Sequence, residues 1–340
     1  MPNQNHIFIA GPCAAESEQQ VLSTAAALQS CGIDYFRAGL WKPRTSPDSF
    51  QGVGKNGIAW MLEVREQYGL KIATEVATAD HVRLCRDAGF DAVWIGARTV
   101  SDPFAIQTLS EALKDYEGCV LVKNPISDDI DLWEGAIQRL LLVGIQKIIA
   151  VHRGVKPSAY QPTELRNNPA WYMPIELRRR QPLIPIICDP SHISGKSELV
   201  QLIAQQAMSL GLDGLMVEVH CQPHKALSDK EQQLTPQQFL NMIKTTDFRQ
   251  QPTAESDLLR LREQIDAIDN QLWQLIEQRM IISGHIGEIK RENHMPVFQP
   301  DRYNKTLRQR LQWAQQHQLS AQLVNEVMQA LHNASVQQQL

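Results

Sequence analysis

The sequence predicts an α/β chain, a closed (β/α)8 TIM barrel followed by a small all-α three-helix domain that dimerises. Three observations predict it. Eight short apolar runs alternate with helix-like stretches over about 245 residues, the texture breaks into a polar linker after Phe248, and an unbroken apolar repeat of helical period follows. The barrel is assigned to residues 1–248, the linker to 249–256 and the helical domain to 257–340.

The strand candidates, in order, are 6–10, 34–38, 70–75, 91–96, 119–123, 147–152, 184–188 and 213–219. Segments 18–31, 78–89, 131–144 and 196–211 carry apolar residues at helical spacing, and Gly89, Gly144 and Gly211 close three of them. An open doubly wound sheet has the same alternation, but no GxGxxG follows the first strand.

Gln250, Gln251, Pro252 and Thr253 form the linker. Beyond it Leu258, Leu261, Ile265, Ile268, Leu272 and Leu275 step by three and four residues, with Ser256 and Asp257 as N-cap candidates. No glycine interrupts before Gly284 and no proline before Pro296. The helix is therefore about 37 residues, or roughly 55 Å, long. Such a stripe cannot be buried within an 80-residue domain. Two shorter helices follow near 300–317 and 320–338, and burial of the stripe calls for a second copy, a homodimer through the helical domain.

Composition excludes several classes of function. Hydrophobic residues at 43% and charged residues at 21% are those of an ordinary globular chain. A net charge of -4 gives no basic footprint, so no nucleic acid is expected as partner. No apolar segment reaches membrane-spanning length, and the run before Gly11-Pro12 is too short for a signal peptide. Six cysteines at 13, 31, 85, 119, 188 and 221 show no framework spacing and are read as reduced thiols in a cytoplasmic protein.

Barrel enzymes carry their chemistry at the C-terminal ends of the strands. Two groups stand there. Cys13, His192, Glu218 and Asp229 offer a thiolate, an imidazole and two carboxylates, ligand types for one divalent metal ion such as Mn, Fe, Co or Zn. They belong to the first, seventh and eighth strands, and closure makes the eighth the neighbour of the first. Each taken alone is an ordinary residue, a small buried thiol or a turn carboxylate. The second group is cationic: Arg37, Lys42, Arg44, Arg98, Lys123 and Arg153. That many unpaired cations repel, and bound phosphate or carboxylate groups relieve the repulsion. Together they read as a metal site beside a pocket for a polyanion. A Schiff-base aldolase using one of the lysines is the competing chemistry.

Residues 1–248 resemble the metal-dependent DAHP synthases through AGPC, FRAGLWKPRTSPDSFQG, WIGAR, DPSHISG and VEVHCQPHKALSD. KPRTS is absent from the sister enzymes that make the eight-carbon KDO phosphate. The resemblance implies condensation of phosphoenolpyruvate with erythrose 4-phosphate. By motif position it implies Cys13, His192, Glu218 and Asp229 as metal ligands. It implies Arg37, Lys42, Gly96, Ala97, Arg98, Lys123 and Arg153 for phosphoenolpyruvate, and Arg44 and Thr45 for erythrose 4-phosphate. Lys42 and Lys123 are the candidates for proton traffic, and Glu75 for positioning the attacking water.

Residues 257–340 resemble the all-helical chorismate mutases at Arg262, Arg279, Lys290, Arg302, Ser335 and Gln339. The implied reaction, chorismate to prephenate, needs a dianion folded and ether-oxygen charge stabilised. Arginines suit the carboxylates, and Lys290 with Gln339 the ether oxygen. On a helix Arg279 and Lys290 are about 20° apart in azimuth and roughly 16 Å apart in height, close enough to bracket a small ligand. Arg262 lies about 25 Å from Arg279 and must serve a site on a partner chain. Gln299 and Tyr303 depart from the family's usual acids, which keeps open a module for dimerisation and ligand sensing with little turnover. The barrel begins almost at residue 1 with no preceding regulatory domain, so feedback by prephenate through the helical domain is a further expectation.

Overall fold

A computed structural model describes residues 6–42, 48–157, 164–248 and 255–340, apart from the side chains of 255–258 and 260. Arg44 and Thr45 lie outside the described residues, as do most of the linker and the side chain of Leu258. The chain divides into two compact units, Met1–Gln250 and Gln251–Leu340.

The first unit is a closed parallel barrel of eight strands in sequence order. They are β1 (Ile7–Gly11), β2 (Tyr35–Arg37), β3 (Ile72–Val76), β4 (Ala92–Ile95), β5 (Cys119–Lys123), β6 (Ile148–His152), β7 (Ile186–Cys188) and β8 (Gly214–Glu218). Alternate strand positions face opposite ways. Ile9, Ala73, Ala92, Trp94, Leu121, Val151, Ile187 and Met216 fill the interior of the barrel. Phe8, Phe36, Val93, Ile95, Val120 and Val122 face a second core beneath the surrounding helices. Closure pairs β8 with β1 in a register that sets Glu218 opposite Gly11, which brings the two ends of the barrel sequence to one rim.

The second unit has a 38-residue helix, Glu255–Glu292, followed by helices Pro300–Gln316 and Ala321–Gln339. The long helix starts at Glu255, so Ser256 and Asp257 lie in its first turn and do not cap it. Acidic and hydroxyl residues are favourable there as well as at the cap, because the first turn's amides are unpaired. Leu261, Ile265, Ile268, Leu272 and Leu275 are all at least 50% exposed. The last helix packs on the C-terminal half of the long one and the middle helix packs on the last, and the stripe stays uncovered within the unit, as helix length and domain size require.

Candidate active sites

The rim of the barrel is assembled by local rules. In Gly11-Pro12-Cys13 the glycine takes φ 145°, and a Cβ on it would meet the Arg37 carbonyl oxygen at 2.1 Å. The chain therefore turns inward tightly and buries Cys13 completely. After β7, Asp189 caps a short helix with Pro190 at its first position, accepting a hydrogen bond from the His192 amide at 3.0 Å. After β8 the chain leaves and returns, since Leu234 N donates to Glu218 O and His220 N to Leu234 O, each at 2.9 Å. That closed loop carries Asp229 back over the mouth in a left-handed conformation, φ 48°. Such a backbone is tolerated by aspartate and is characteristic of functional sites.

These elements bring one oxygen of Glu218, one of Asp229 and the Cys13 sulfur within 4.8 Å of one another. Cys13 Sγ donates to Asp229 Oδ2 at 3.2 Å. His192 Nε2 is 3.8 Å from Glu218 Oε1, and its Nδ1 is 2.8 Å from Asp189 Oδ2. A carboxylate behind one ring nitrogen, with the other facing a cluster of acids, is the arrangement that orients a ligating imidazole. Burial, together with the Glu218 carboxylate, pushes the Cys13 thiol up to about 12. Burial also lowers His192 and so favours neutral imidazole. A buried thiol beside two carboxylates is poorly satisfied by protons and well satisfied by a divalent cation, so the donor set fits a metal.

Beside this cluster lies a cavity of about 470 Å³. Arg37, Lys42, Arg98, Lys123, Arg153, Lys156 and Arg166 line it, against the acids Glu75 and Asp229 alone. The expectation of unpaired cations needs correction. Arg37 Nη2 pairs with Glu218 Oε1 at 3.0 Å, and Lys123 Nζ with Asp189 Oδ2 at 2.8 Å, both fully buried pairs. Acids on β8 and just after β7 reach under the cavity floor and neutralise part of the charge. Lys42 donates to the Cys13 carbonyl at 3.0 Å and Arg153 to Asn167 Oδ1 at 3.3 Å. The excess remains positive. Arg37, 1% exposed and stacked 4.8 Å over Trp94, keeps Nε and Nη1 buried without a protein partner. Buried donors left in this way are costly unless something accepts from them. Burial lowers Lys123, which brings its proton nearer to exchange. Gly96 opens the turn below Arg98, because a Cβ there would strike Glu75 Oε1 at 2.3 Å. Glycine at 96 is thus what lets Glu75 reach the cavity wall.

Of the sequence candidates in the barrel, the described ones all reach this rim. Asp189, the strand-end acid of DPSHISG, joins them, and so do two side chains that no strand end announces, Arg166 and Asn167. Asn167 Nδ2 donates to the His192 carbonyl at 2.6 Å and Arg166 Nη1 pairs with Asp229 Oδ1 at 3.1 Å. Arg166 and Asn167 sit in an irregular segment with no strand end to mark it. His220, two residues past β8, turns away and lies 3.7 Å from Glu16.

The helical unit holds a second cavity, of about 400 Å³. Arg279, Lys290, Arg302, Ser335 and Gln339 all line it. Arg279 Nη1 donates to Ser335 Oγ at 2.6 Å, Lys290 Nζ to Gln339 Oε1 at 2.8 Å, and Gln339 Nε2 to Ser283 Oγ at 3.0 Å. Gln299 and Tyr303 are also on the wall, and Tyr303 lies 4.2 Å from the His332 ring. Arg262 is not on this wall and is exposed.

Comparison with known proteins places both units. Residues 2–251 match the model of the DAHP synthetase I family, and residues 261–340 that of chorismate mutase type II. The chain is 32% identical over 236 residues to the phospho-2-dehydro-3-deoxyheptonate aldolase of Thermotoga maritima, covering 69% of this chain and 67% of that protein. It is 26% identical over 254 residues to the 2-dehydro-3-deoxyphosphooctonate aldolase of Wolinella succinogenes, covering 68% and 94%. The crystal structure of the Thermotoga maritima DAHP synthase superposes with a TM-score of 0.64 at 32% identity, over 72% of this chain and 69% of that one. A truncated form of the 3-deoxy-D-arabino-heptulosonate 7-phosphate synthase from that organism gives 0.61 at 26% identity, over 72% and 86%.

Proposed function

The chain belongs to the DAHP synthetase I family and carries a chorismate mutase type II domain, and from that premise we propose how its residues divide two reactions. The protein is a bifunctional synthase and mutase. Residues 1–248 condense phosphoenolpyruvate with erythrose 4-phosphate, residues 249–256 link, and residues 257–340 rearrange chorismate to prephenate. Its six free cysteines fit a cytoplasmic setting.

In the barrel, Cys13, His192, Glu218 and Asp229 hold one divalent ion, Mn, Fe, Co or Zn. When bound, the ion supplies Lewis acidity to an aldehyde oxygen. Arg37, Arg98 and Arg153 grip the phosphate and carboxylate of phosphoenolpyruvate bidentately, with Lys42, Lys123 and the Gly96–Arg98 turn as further donors. Arg44 and Thr45 take the erythrose 4-phosphate phosphate. Lys123, with its proton loosened by burial, and Lys42 move protons at the reacting enol and hydroxyl. Glu75 orients the water that releases inorganic phosphate. The observation that carries this reading is the convergence of Cys13, Glu218 and Asp229 on the wall of a strongly cationic cavity.

In the helical unit, Arg279, Arg302 and the partner subunit's Arg262 hold the carboxylates of chorismate in a homodimer. Ser335 supports Arg279, and Lys290 with Gln339 stabilises charge on the ether oxygen. The exposed stripe on the long helix supports the dimer. Prephenate bound in this cavity inhibits the barrel reaction. A second reading, ligand sensing with little turnover, is favoured by Gln299 and Tyr303 on a wall that carries no acid among the described residues. Chorismate disappearance catalysed by the helical domain alone separates the two.

Cys13→Ala and His192→Ala test the barrel assignment. Loss of a Lewis acid worth about 4 kcal/mol slows synthase turnover about a thousandfold, while mutase turnover stays within about twofold of the parent. A Cys13→Ala protein that keeps substantial, chelator-sensitive synthase activity would show the ligand set to be wrong.

A further inference from the structure

The acids of the metal cluster are each held from behind, Glu218 by Arg37 and Gln232 and Asp229 by Arg166. Glu218 is 0% exposed, and its Oε1 is held by Arg37. Its Oε2 accepts from Gln232 Nε2 at 2.7 Å, and Gln232 is itself 1% exposed. The other end of the same amide, Oε1, accepts from Arg166 Nη1 at 2.5 Å. That guanidinium nitrogen also takes Asp229 Oδ1 at 3.1 Å, leaving Oδ2 to face Cys13. Gln233 serves the opposite side of the site. Its Oε1 accepts from the Cys13 amide at 3.0 Å and its Nε2 donates to the Ser228 carbonyl at 2.9 Å, one residue before Asp229.

We propose that Arg166 and Gln232 are positioning residues of the metal site, a relay that fixes the Glu218 and Asp229 carboxylates so that the metal meets them already oriented. This rests on the ligand set proposed above. A primary amide accepts from a guanidinium through its oxygen and donates to a carboxylate through its nitrogen while staying neutral. A carboxylate at 232 would set two acids face to face, and a hydrocarbon would leave Oε2 of Glu218 and a guanidinium hydrogen unmatched. Outer partners of ligating groups typically change metal affinity about 10- to 100-fold when removed. Arg166 also lines the substrate cavity, so the relay runs from the cavity wall to the ligands.

The test uses the full chain and Co²⁺ alone, without substrates, followed by the thiolate-to-cobalt charge-transfer band and the ligand-field bands. Gln232→Met is expected to raise the Co²⁺ dissociation constant about 10- to 100-fold and to shift the ligand-field bands, because Glu218 no longer presents the same oxygen. Arg166→Met is expected to weaken binding as well, and the double variant to weaken it by less than the product of the two single effects, since the two share the Arg166–Gln232 bond. Arg166 is 40% exposed, so its variants fold even if Gln232→Met does not. Arg166→Lys keeps the charge but not the planar guanidinium, and since Nη1 alone makes both contacts it is expected to recover part of the loss. Dissociation constants within threefold of the parent with unchanged bands, in folded variants, would overturn the relay. A parent chain showing no thiolate charge-transfer band would overturn the ligand set, and the relay with it.

Discussion

His152, in β6, is 0% exposed. Its Nε2–H donates to the Pro169 carbonyl, while Nδ1 has no partner. Burial, offset only in part by that carbonyl, pulls it down to about 4 from 6.5. Above pH 6.5 the imidazole is neutral folded or unfolded and contributes nothing to the pH dependence. Between 6.5 and 4 the unfolded chain binds a proton that the folded chain refuses, so stability falls as pH falls, by about 3 kcal/mol across the window. His152→Gln keeps a donor for Pro169 and removes the titration. Between pH 7 and 4.5, with a point at 5.5, the pH dependence of urea unfolding of the barrel transition is expected to be flatter by about 2.5 kcal/mol in the variant. An unchanged slope would place the titrating group elsewhere. At this scale the sequence was most legible where chemistry is concentrated at strand ends: Cys13, Lys123, Glu218. It was least legible for Arg166 and Gln232, whose neighbours arrive from residues more than 60 or 10 positions away through loops with no periodicity.

At the scale of elements, length decided most. The eight apolar runs became eight strands because strands buried on both faces need continuous apolar sequence, and their edges moved by only a residue or two. The long helix was equally legible, since period and length together leave a stripe its own domain cannot cover. The start of that helix was not, because acidic and hydroxyl residues serve both as caps and in first turns. Its geometry also separates Arg262 from Arg279 by about 25 Å, so the proposed homodimer takes Arg262 into the mutase site from the other subunit. Arg262→Ala and Arg279→Ala chains are each expected to be nearly inactive as mutases. Mixed and allowed to exchange, they are expected to regain up to one working site per heterodimer. No recovery after subunit exchange has been verified by mass would mean that each chain builds its site alone.

On the scale of the whole molecule, each of the two units holds its own cavity. Any influence of one on the other is then a coupling free energy, and 1–3 kcal/mol, about 5- to 150-fold, is the usual size. Prephenate is expected to inhibit the synthase by a factor in that range in the full chain, and not in a chain ending near Phe248. Coupling is reciprocal, so phosphoenolpyruvate is expected to change prephenate affinity by the same factor. Equal inhibition of the truncated chain would place the inhibitor at the barrel mouth. The central claim, two chemistries of which only one uses a metal, is tested most directly by following both rates in a single preparation of the full chain. Chelation to exhaustion, then readdition of Mn²⁺, is expected to abolish and restore phosphoenolpyruvate consumption while chorismate consumption stays constant. Synthase turnover that survives complete metal removal, or mutase turnover that falls with it, would contradict the account.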